Sequence, residues 1–279
     1  MEIHLPHPLF FLHIPKTAGT TLNKILDNNL SPENILDLYT EDQHAAIKET
    51  TYDQISEYAL VRGHVFMADF ADVLDGPVPF RVFAFLRDPI ERVISEYYFL
   101  KRWPKSHLYI YLNENNVSLA EYITSEAPML KQRGRNNMMN SLSGVIQGTE
   151  DDRLALAWHH LKDRFLTFGI LERFDESLLM LKRHAGLENV FYEKQNVRAV
   201  NADRPVSAEE MDIIHEYNQM DIKLYELAME EFSQRVELLG PSFRTEVRMF
   251  GKVNERFQRV SDLVNRNSGV QQGALINSK

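Results

Sequence analysis

The sequence predicts an α/β fold: a central, mainly parallel sheet flanked by helices, with a helical extension at the C-terminal end. Three observations predict it. Short apolar runs at 9–14, 81–86 and 165–170 have strand length. Each is followed by a loop and then by apolar residues at helical spacing. After Gly240-Pro241 the pattern changes to a charged, weakly amphipathic helix over 242–266. Strands alternating with helices make a parallel sheet covered on both faces, and such sheets bind ligands at the carboxyl ends of their strands.

The elements follow in order. Leu9-Phe10-Phe11-Leu12-His13-Ile14 lies between Pro8 and Pro15 and reads as a buried strand. Leu22, Ile25 and Leu26 then mark a helix. A second strand is expected at 58–61, ending at Arg62-Gly63-His64, and a third at 81–86. Arg87-Asp88-Pro89 stops the third, with Asp88 as a cap and Pro89 suited to a first helical turn. Residues 103–150 carry two polar segments, 113–116 and 132–140, and read as helices joined by mobile loops, a candidate lid. Helices are expected at 154–161 and 172–185, on either side of the strand at 165–170. Ser207 with Glu210 forms a capping box for a helix to about residue 219, and another helix follows over 221–238. This organisation divides into a main domain, 1–240, and a C-terminal helix with a polar tail, 241–279.

Composition narrows the function. There are 279 residues, 44% of them hydrophobic, enough for one large core. The absence of cysteine excludes disulfides, thiolate nucleophiles and Cys-bound zinc, and the sequence shows no metal-ligand cluster. No stretch reaches the roughly 18 apolar residues of a membrane span. No signal peptide is read at the N-terminus. The missing anchor and cysteines point to a bacterial cytoplasm. A net charge of −9 argues against nucleic acid or an anionic membrane as partner, and weighs against a highly sulfated acceptor.

Two loops carry candidate chemistry. Pro15-Lys16-Thr17-Ala18-Gly19-Thr20-Thr21 precedes a helix, whose start offers backbone N–H groups and a positive dipole end. Lys16 adds charge, Thr17, Thr20 and Thr21 add hydroxyls, and Gly19 permits close approach of an anion. A plain capped turn is the alternative. The loop is not a Walker A motif, which needs Gly-x-x-x-x-Gly-Lys-Ser/Thr; here the lysine precedes the glycine. In the second loop Arg87 can fork onto a phosphate, with Ser95 two turns further on. The alternative there is an Arg87–Asp88 ion pair, with Glu91 and Arg92 facing solvent.

Taken together, these segments resemble PAPS-dependent sulfotransferases (PAPS is 3′-phosphoadenosine 5′-phosphosulfate). His13-Ile14-Pro15-Lys16-Thr17-Ala18-Gly19-Thr20-Thr21-Leu22 resembles their 5′-phosphosulfate loop. The stretch from Leu86-Arg87-Asp88-Pro89 to Phe99 resembles their 3′-phosphate segment. The heparan sulfate 2-O-sulfotransferase branch and its bacterial relatives are most similar, also at 62–70, 168–175 and from 196 to 225. The resemblance covers roughly residues 9–235 and implies a P-loop-like sulfotransferase fold.

It also implies roles. Lys16 would contact the bridging oxygen and the 5′-phosphosulfate, with Thr17, Ala18, Gly19, Thr20 and Thr21 around it. Arg87 and Ser95 would hold the 3′-phosphate. His64 matches the catalytic base of the branch. The cofactor would be PAPS, the product 3′-phosphoadenosine 5′-phosphate (PAP), and the acceptor a hydroxyl on a glycan or small molecule, with no metal required. Two departures stand out: the branch has a second histidine where this chain has Arg62, and Met138 and Asn140 stand in a loop that usually carries Gln and Arg. His13 reads as structural.

Two other functions compete. A P-loop-type small-molecule kinase would need ATP and magnesium, and the missing Walker A motif argues against it. A non-catalytic adenosine-phosphate-binding module would have no use for both Lys16 and His64. In the C-terminal helix Val247, Phe250, Val253, Phe257, Val260, Leu263 and Val264 recur every three or four residues. Such a stripe packs on its own domain or joins a homodimer through 242–266.

Overall fold

A computed structural model of the chain describes residues 8–47, 51–70, 79–144, 148–193 and 205–267. The matched stretch at 196–204 and the polar tail from 268 onward lie outside the described residues. Five strands, β1 (Leu9–Leu12), β2 (Ile35–Leu38), β3 (Leu60–Gly63), β4 (Arg81–Leu86) and β5 (Thr167–Ile170), form one sheet in the order β2-β3-β1-β4-β5. Every pairing is parallel. All five strands therefore end at the same edge, which is where a ligand site belongs.

β1 is the central strand and is buried on both faces. Phe10 packs against Phe70 and Phe80, with ring centroids 5.3 and 6.1 Å apart. Phe11 points the other way and stacks on Phe83, its register partner in β4, at 4.9 Å. Burying each such ring contributes on the order of 2 kcal/mol of transfer free energy. β1 ends at Leu12, two residues before the apolar run does. Pro15 carries no N–H, and Lys16 turns left-handed.

The edge strand β2 was not expected from the sequence. Its four residues include Asp37 and are mostly half-buried, so the apolar signal is weak. Asp37 lies beside Arg62 in the ladder and pairs with it, Oδ1 to Nε at 2.7 Å. The second expected strand is displaced by two residues, to 60–63.

Helix α1 (Gly19–Asp27) follows β1, and α2 (Glu41–Ile47) and α3 (Tyr52–Ser56) lie between β2 and β3. Helix α4 (Pro89–Arg102) follows β4. Asp88 caps it through Glu91 N, and Pro89 occupies the first turn, as expected. Four short helices come next: α5 (Tyr109–Glu114), α6 (Leu119–Thr124), α7 (Pro128–Gly134) and α8 (Asn137–Ser143). With α4 and α11 (Ala208–Tyr217) the first three enclose a second apolar cluster that includes Val93, Leu112, Tyr122 and Ile214, while α8 packs into the main core. The polar run 132–140 is thus built into α7 and α8, and Met138 and Met139 are fully buried. α9 (Glu150–His159) and α10 (Phe174–Ala185) flank β5, and the capping box of Ser207 and Glu210 starts α11.

The starts of α8 and α12 (Gln219–Leu238) cap one another. Asp221 accepts Met138 N at 3.1 Å and Met139 N at 2.8 Å. Asn136, at φ 44°, accepts Met220 N and Asp221 N, both at 3.1 Å. Asn218 closes the knot by accepting Asn136 N at 2.9 Å. Two otherwise unpaired N–H groups at each helix start thereby gain a side-chain acceptor. The C-terminal helix α13 (Gly240–Asn267) buries Phe243 and Phe250 in the main core, while Met249, Val253, Phe257, Val260 and Leu263 stay exposed.

Candidate functional site

The loop between β1 and α1 crosses the carboxyl edge of the sheet. Lys16 and Ala18 both have positive φ, 70° and 75°. Left-handed residues other than glycine each cost of order 1 kcal/mol or more, and their alternation folds backbone N–H groups into a concavity suited to an anion. Ala18 is the N-cap of α1 and supplies no side-chain cap; its carbonyl accepts Thr21 N at 3.0 Å and Leu22 N at 3.1 Å. Thr17 is buried and donates its hydroxyl to Ile14 O at 2.8 Å, which holds the loop in shape. Thr21 is buried and Thr20 exposed.

Lys16 lies half-buried with Nζ 4.0 Å from the centroid of the Phe99 ring. Desolvation pushes its pKa down to about 8. The Glu96 carboxylate pulls it up, and the Arg87 and Arg102 guanidiniums add to the lowering. Arg87 donates from Nη1 to the Lys16 carbonyl at 3.3 Å, so the two loops meet. Its other nitrogen lies 3.4 Å from Glu91, and Asp88 is taken by capping rather than by an ion pair with Arg87. Ser95 is half-buried on α4, one turn before Phe99.

Arg92 does not face solvent. It is fully buried and pairs with Glu96 at 2.6 Å, while Arg133 of α7 takes the other Glu96 oxygen at 2.9 Å. Pairing of this kind is what allows a guanidinium and a carboxylate to be buried together. The network lies one turn from Phe99 and sends its field to both Lys16 and His64.

His64 follows β3. Its Nδ1 lies 2.8 Å from the His13 carbonyl oxygen. A carbonyl only accepts, so the neutral ring carries its proton on Nδ1 and presents a bare Nε2. The ring is exposed, yet protein crowds it closely enough that desolvation pushes its pKa down to about 4. The hydrogen bond to His13 and the Glu96 carboxylate oppose that shift, while Arg133 and His44 reinforce it. At neutral pH the ring is therefore an uncharged proton acceptor.

Arg62, where the resembled branch has histidine, is buried away from this chemistry. It pairs with Asp27 at 2.8 Å and Asp37 at 2.7 Å, and donates to Asn23 O at 3.2 Å. It braces α1, β2 and β3.

Three contributors were not legible as site residues. His13, read as structural, packs its ring 4.3 Å from that of His64. Its other edge fills the space above Gly19: a Cβ there would lie 1.6 Å from His13 Nε2. The glycine is therefore required by His13. Tyr39 and Glu96 are the others, and for Glu96 the only hint was its position four residues after Arg92.

The expected residues thus form two joined groups at one sheet edge: Lys16 with Arg87, and Gly19 with His64 through His13. Two cations, Lys16 and Arg87, thus lie together at the loop that leads into α1, a donor set of the kind that suits an anionic ligand. A shallow groove lined by Asp212, His215 and Glu216 belongs to α11 and α12 and carries no strand-end residue. Among the described residues no group of three His, Cys, Asp or Glu is placed to hold a metal, and no helix is long and apolar enough to cross a membrane.

Comparison with known proteins adds the following. The model of the Sulfotransferase family matches residues 3–228. No curated protein matches. Among solved structures, mouse sulfotransferase SULT7A1 complexed with PAP is similar at a TM-score of 0.37 and 13% identity. The match covers 78% of this chain and spans 66% of that one.

Proposed function

We propose that this chain, which belongs to the sulfotransferase family, moves a sulfuryl group from PAPS onto an acceptor hydroxyl. The observation that carries the reading is the junction of the two loops at the sheet edge, where Arg87 is bonded to the carbonyl of Lys16. The phosphosulfate would lie on the β1–α1 loop, held by Lys16, Thr20, Thr21 and the N–H groups of Thr17, Ala18 and Gly19. Arg87 and Ser95 would hold the 3′-phosphate.

Sulfuryl transfer needs in-line geometry and neutralisation of charge on the leaving oxygen. Lys16 supplies that charge. Its partial desolvation strengthens the interaction, because less water competes for the ammonium. The acceptor hydroxyl needs a base as it attacks. His64 is neutral at pH 7 with Nε2 bare, and takes the proton there. His13 O, bonded to Nδ1–H, then steadies the imidazolium.

The acceptor is read as a carbohydrate or small-molecule alcohol, on the strength of the resemblance to the heparan sulfate 2-O branch. The exposed stripe Val253, Phe257, Val260 and Leu263 on α13 supports a homodimer through 242–266. Sedimentation should then show a dimer that Phe257→Glu dissociates.

The test of function needs no acceptor. Thermal unfolding is recorded with PAP, with ADP, and with ATP plus magnesium. A ligand at about 100 times its Kd adds roughly 2.7 kcal/mol, a rise of several degrees for a chain of this size. A rise with PAP and none with ATP plus magnesium is expected. The reverse pattern would replace this reading with the kinase.

A further inference from the structure

We propose that His13 is the second imidazole of this site, a positioning residue that holds His64 in the tautomer and orientation of a base. The proposal rests on the reading of His64 given above. In the resembled branch the second histidine stands two residues before the base. Here Arg62 has that position, and its guanidinium is committed to Asp27 and Asp37. The fold supplies an imidazole from a different strand.

His13 acts through both its backbone and its ring. Its N–H donates to Gly63 O at 2.9 Å, and His64 N donates to Leu38 O at 3.1 Å, so both residues extend the sheet ladder. That fixed backbone presents the His13 carbonyl to His64 Nδ1 at 2.8 Å, which sets the tautomer. The His13 ring, tilted by 39° at 4.3 Å, walls one side of the His64 ring. Tyr39 walls another, nearly perpendicular at 5.0 Å. Rotation about χ2 would carry Nδ1 away from the His13 carbonyl and release the proton to either nitrogen; these walls oppose that rotation.

The His13 ring is itself held. Its Nδ1 lies 3.0 Å from Tyr39 Oη, which also accepts from Asn23 Nδ2 at 2.9 Å. Its Nε2 edge sits against Gly19, and Phe11 stacks on it at 5.2 Å. With one nitrogen on Tyr39, the other against the loop and the ring buried, His13 is not the base. It touches the loop that carries Lys16 and the ring that takes the proton, and so ties their positions together. The charged and titratable groups around the pair are Lys16 from the loop, Arg62 from β3, His44 from α2, Glu96 from α4 and Arg133 from α7.

The test is imidazole ¹⁵N NMR of the full chain between pH 3.5 and 8, with no acceptor present. Wild-type His64 is expected as a single Nδ1–H tautomer titrating near 4. His13→Asn keeps a polar atom for Tyr39 and removes the wall; His64 should become a mixture of tautomers, with its midpoint moved toward 6.5. Tyr39→Phe keeps its own wall and releases His13, giving a smaller shift in the same direction, and it decides the matter if His13→Asn does not fold. An unchanged His64 tautomer and midpoint in the folded variants would overturn the proposal. The PAP-dependent rise in melting temperature is measured in parallel on wild type. Its absence from wild type would remove the sulfuryl-donor reading, a result distinct from the NMR outcome.

Discussion

His13 occupies the volume in which a side chain at residue 19 would begin, its Nε2 lying 1.6 Å from where a Cβ on Gly19 would stand. Gly19→Ala should therefore displace the imidazole rather than merely narrow the loop. Overpacking of this kind costs about 1–3 kcal/mol. We expect turnover of PAPS to fall by about 100-fold, with a loss of several degrees in Tm. Normal turnover in a folded Gly19→Ala protein would show that the His13 ring is dispensable.

Lys16→Ala removes the cation proposed to face the leaving oxygen. Turnover at saturating PAPS should drop by about 10² to 10³, the scale for losing one electrostatic stabiliser of a transition state. Stability should change by no more than about 1 kcal/mol, the worth of its contact with Phe99. Steady-state assays and a melting curve separate the two effects.

Arg87→Ala should act on binding first. Losing the proposed charged hydrogen bond to the 3′-phosphate should cost about 1.5–3 kcal/mol, or roughly 10- to 150-fold in Kd for PAP. ADP, which lacks that phosphate, should bind equally to wild type and variant. Calorimetry with both nucleotides checks this, and equal losses for the two would remove Arg87 from 3′-phosphate recognition.

The pH profile follows from two opposed requirements. His64 must be neutral to accept a proton, so kcat/KM should rise as pH increases through about 4. Lys16 must be charged, so kcat/KM should fall as pH increases through about 8. Lys16→Arg should keep the acid limb and lose the alkaline one, because a guanidinium stays protonated. An alkaline limb that survives Lys16→Arg belongs to another group.

Asp221→Ala tests the mutual capping of α8 and α12. It leaves Met138 N and Met139 N without a partner in the core, at about 1–3 kcal/mol for a stranded buried donor. Tm should fall by at least about 2 °C while PAP affinity in the folded protein stays unchanged.

What could be read in advance was local. The strand Arg81–Leu86 is an uninterrupted apolar run ended by Arg-Asp-Pro, and its bounds were legible to the residue. The capping box at Ser207 is likewise a pattern within four residues. What could not be read depends on contacts far along the chain. Met138 and Met139 sit in a polar run, and only Asp221 and Asn218, more than 80 residues away, make that run a buried helix start. Arg92 looks like a surface residue until Glu96 and the Arg133 carbonyl are brought to it. His13 gave no signal because its importance lies in the ring of His64, 51 residues later. The Lys16 and Arg87 loops were the exception, because each carries its chemistry within a few consecutive residues.

The knot of Asn136, Asn218 and Asp221 bears on the order in which the chain assembles. Neither α8 nor α12 can complete its first turn until the other arrives, and closing a loop of 82–85 residues is entropically slow. The β1–α1 and β4–α4 units are each contiguous in sequence, although their junction spans 71 residues. A refolding chain would then form each strand–loop–helix unit early and join α8 to α12 later, in a single step.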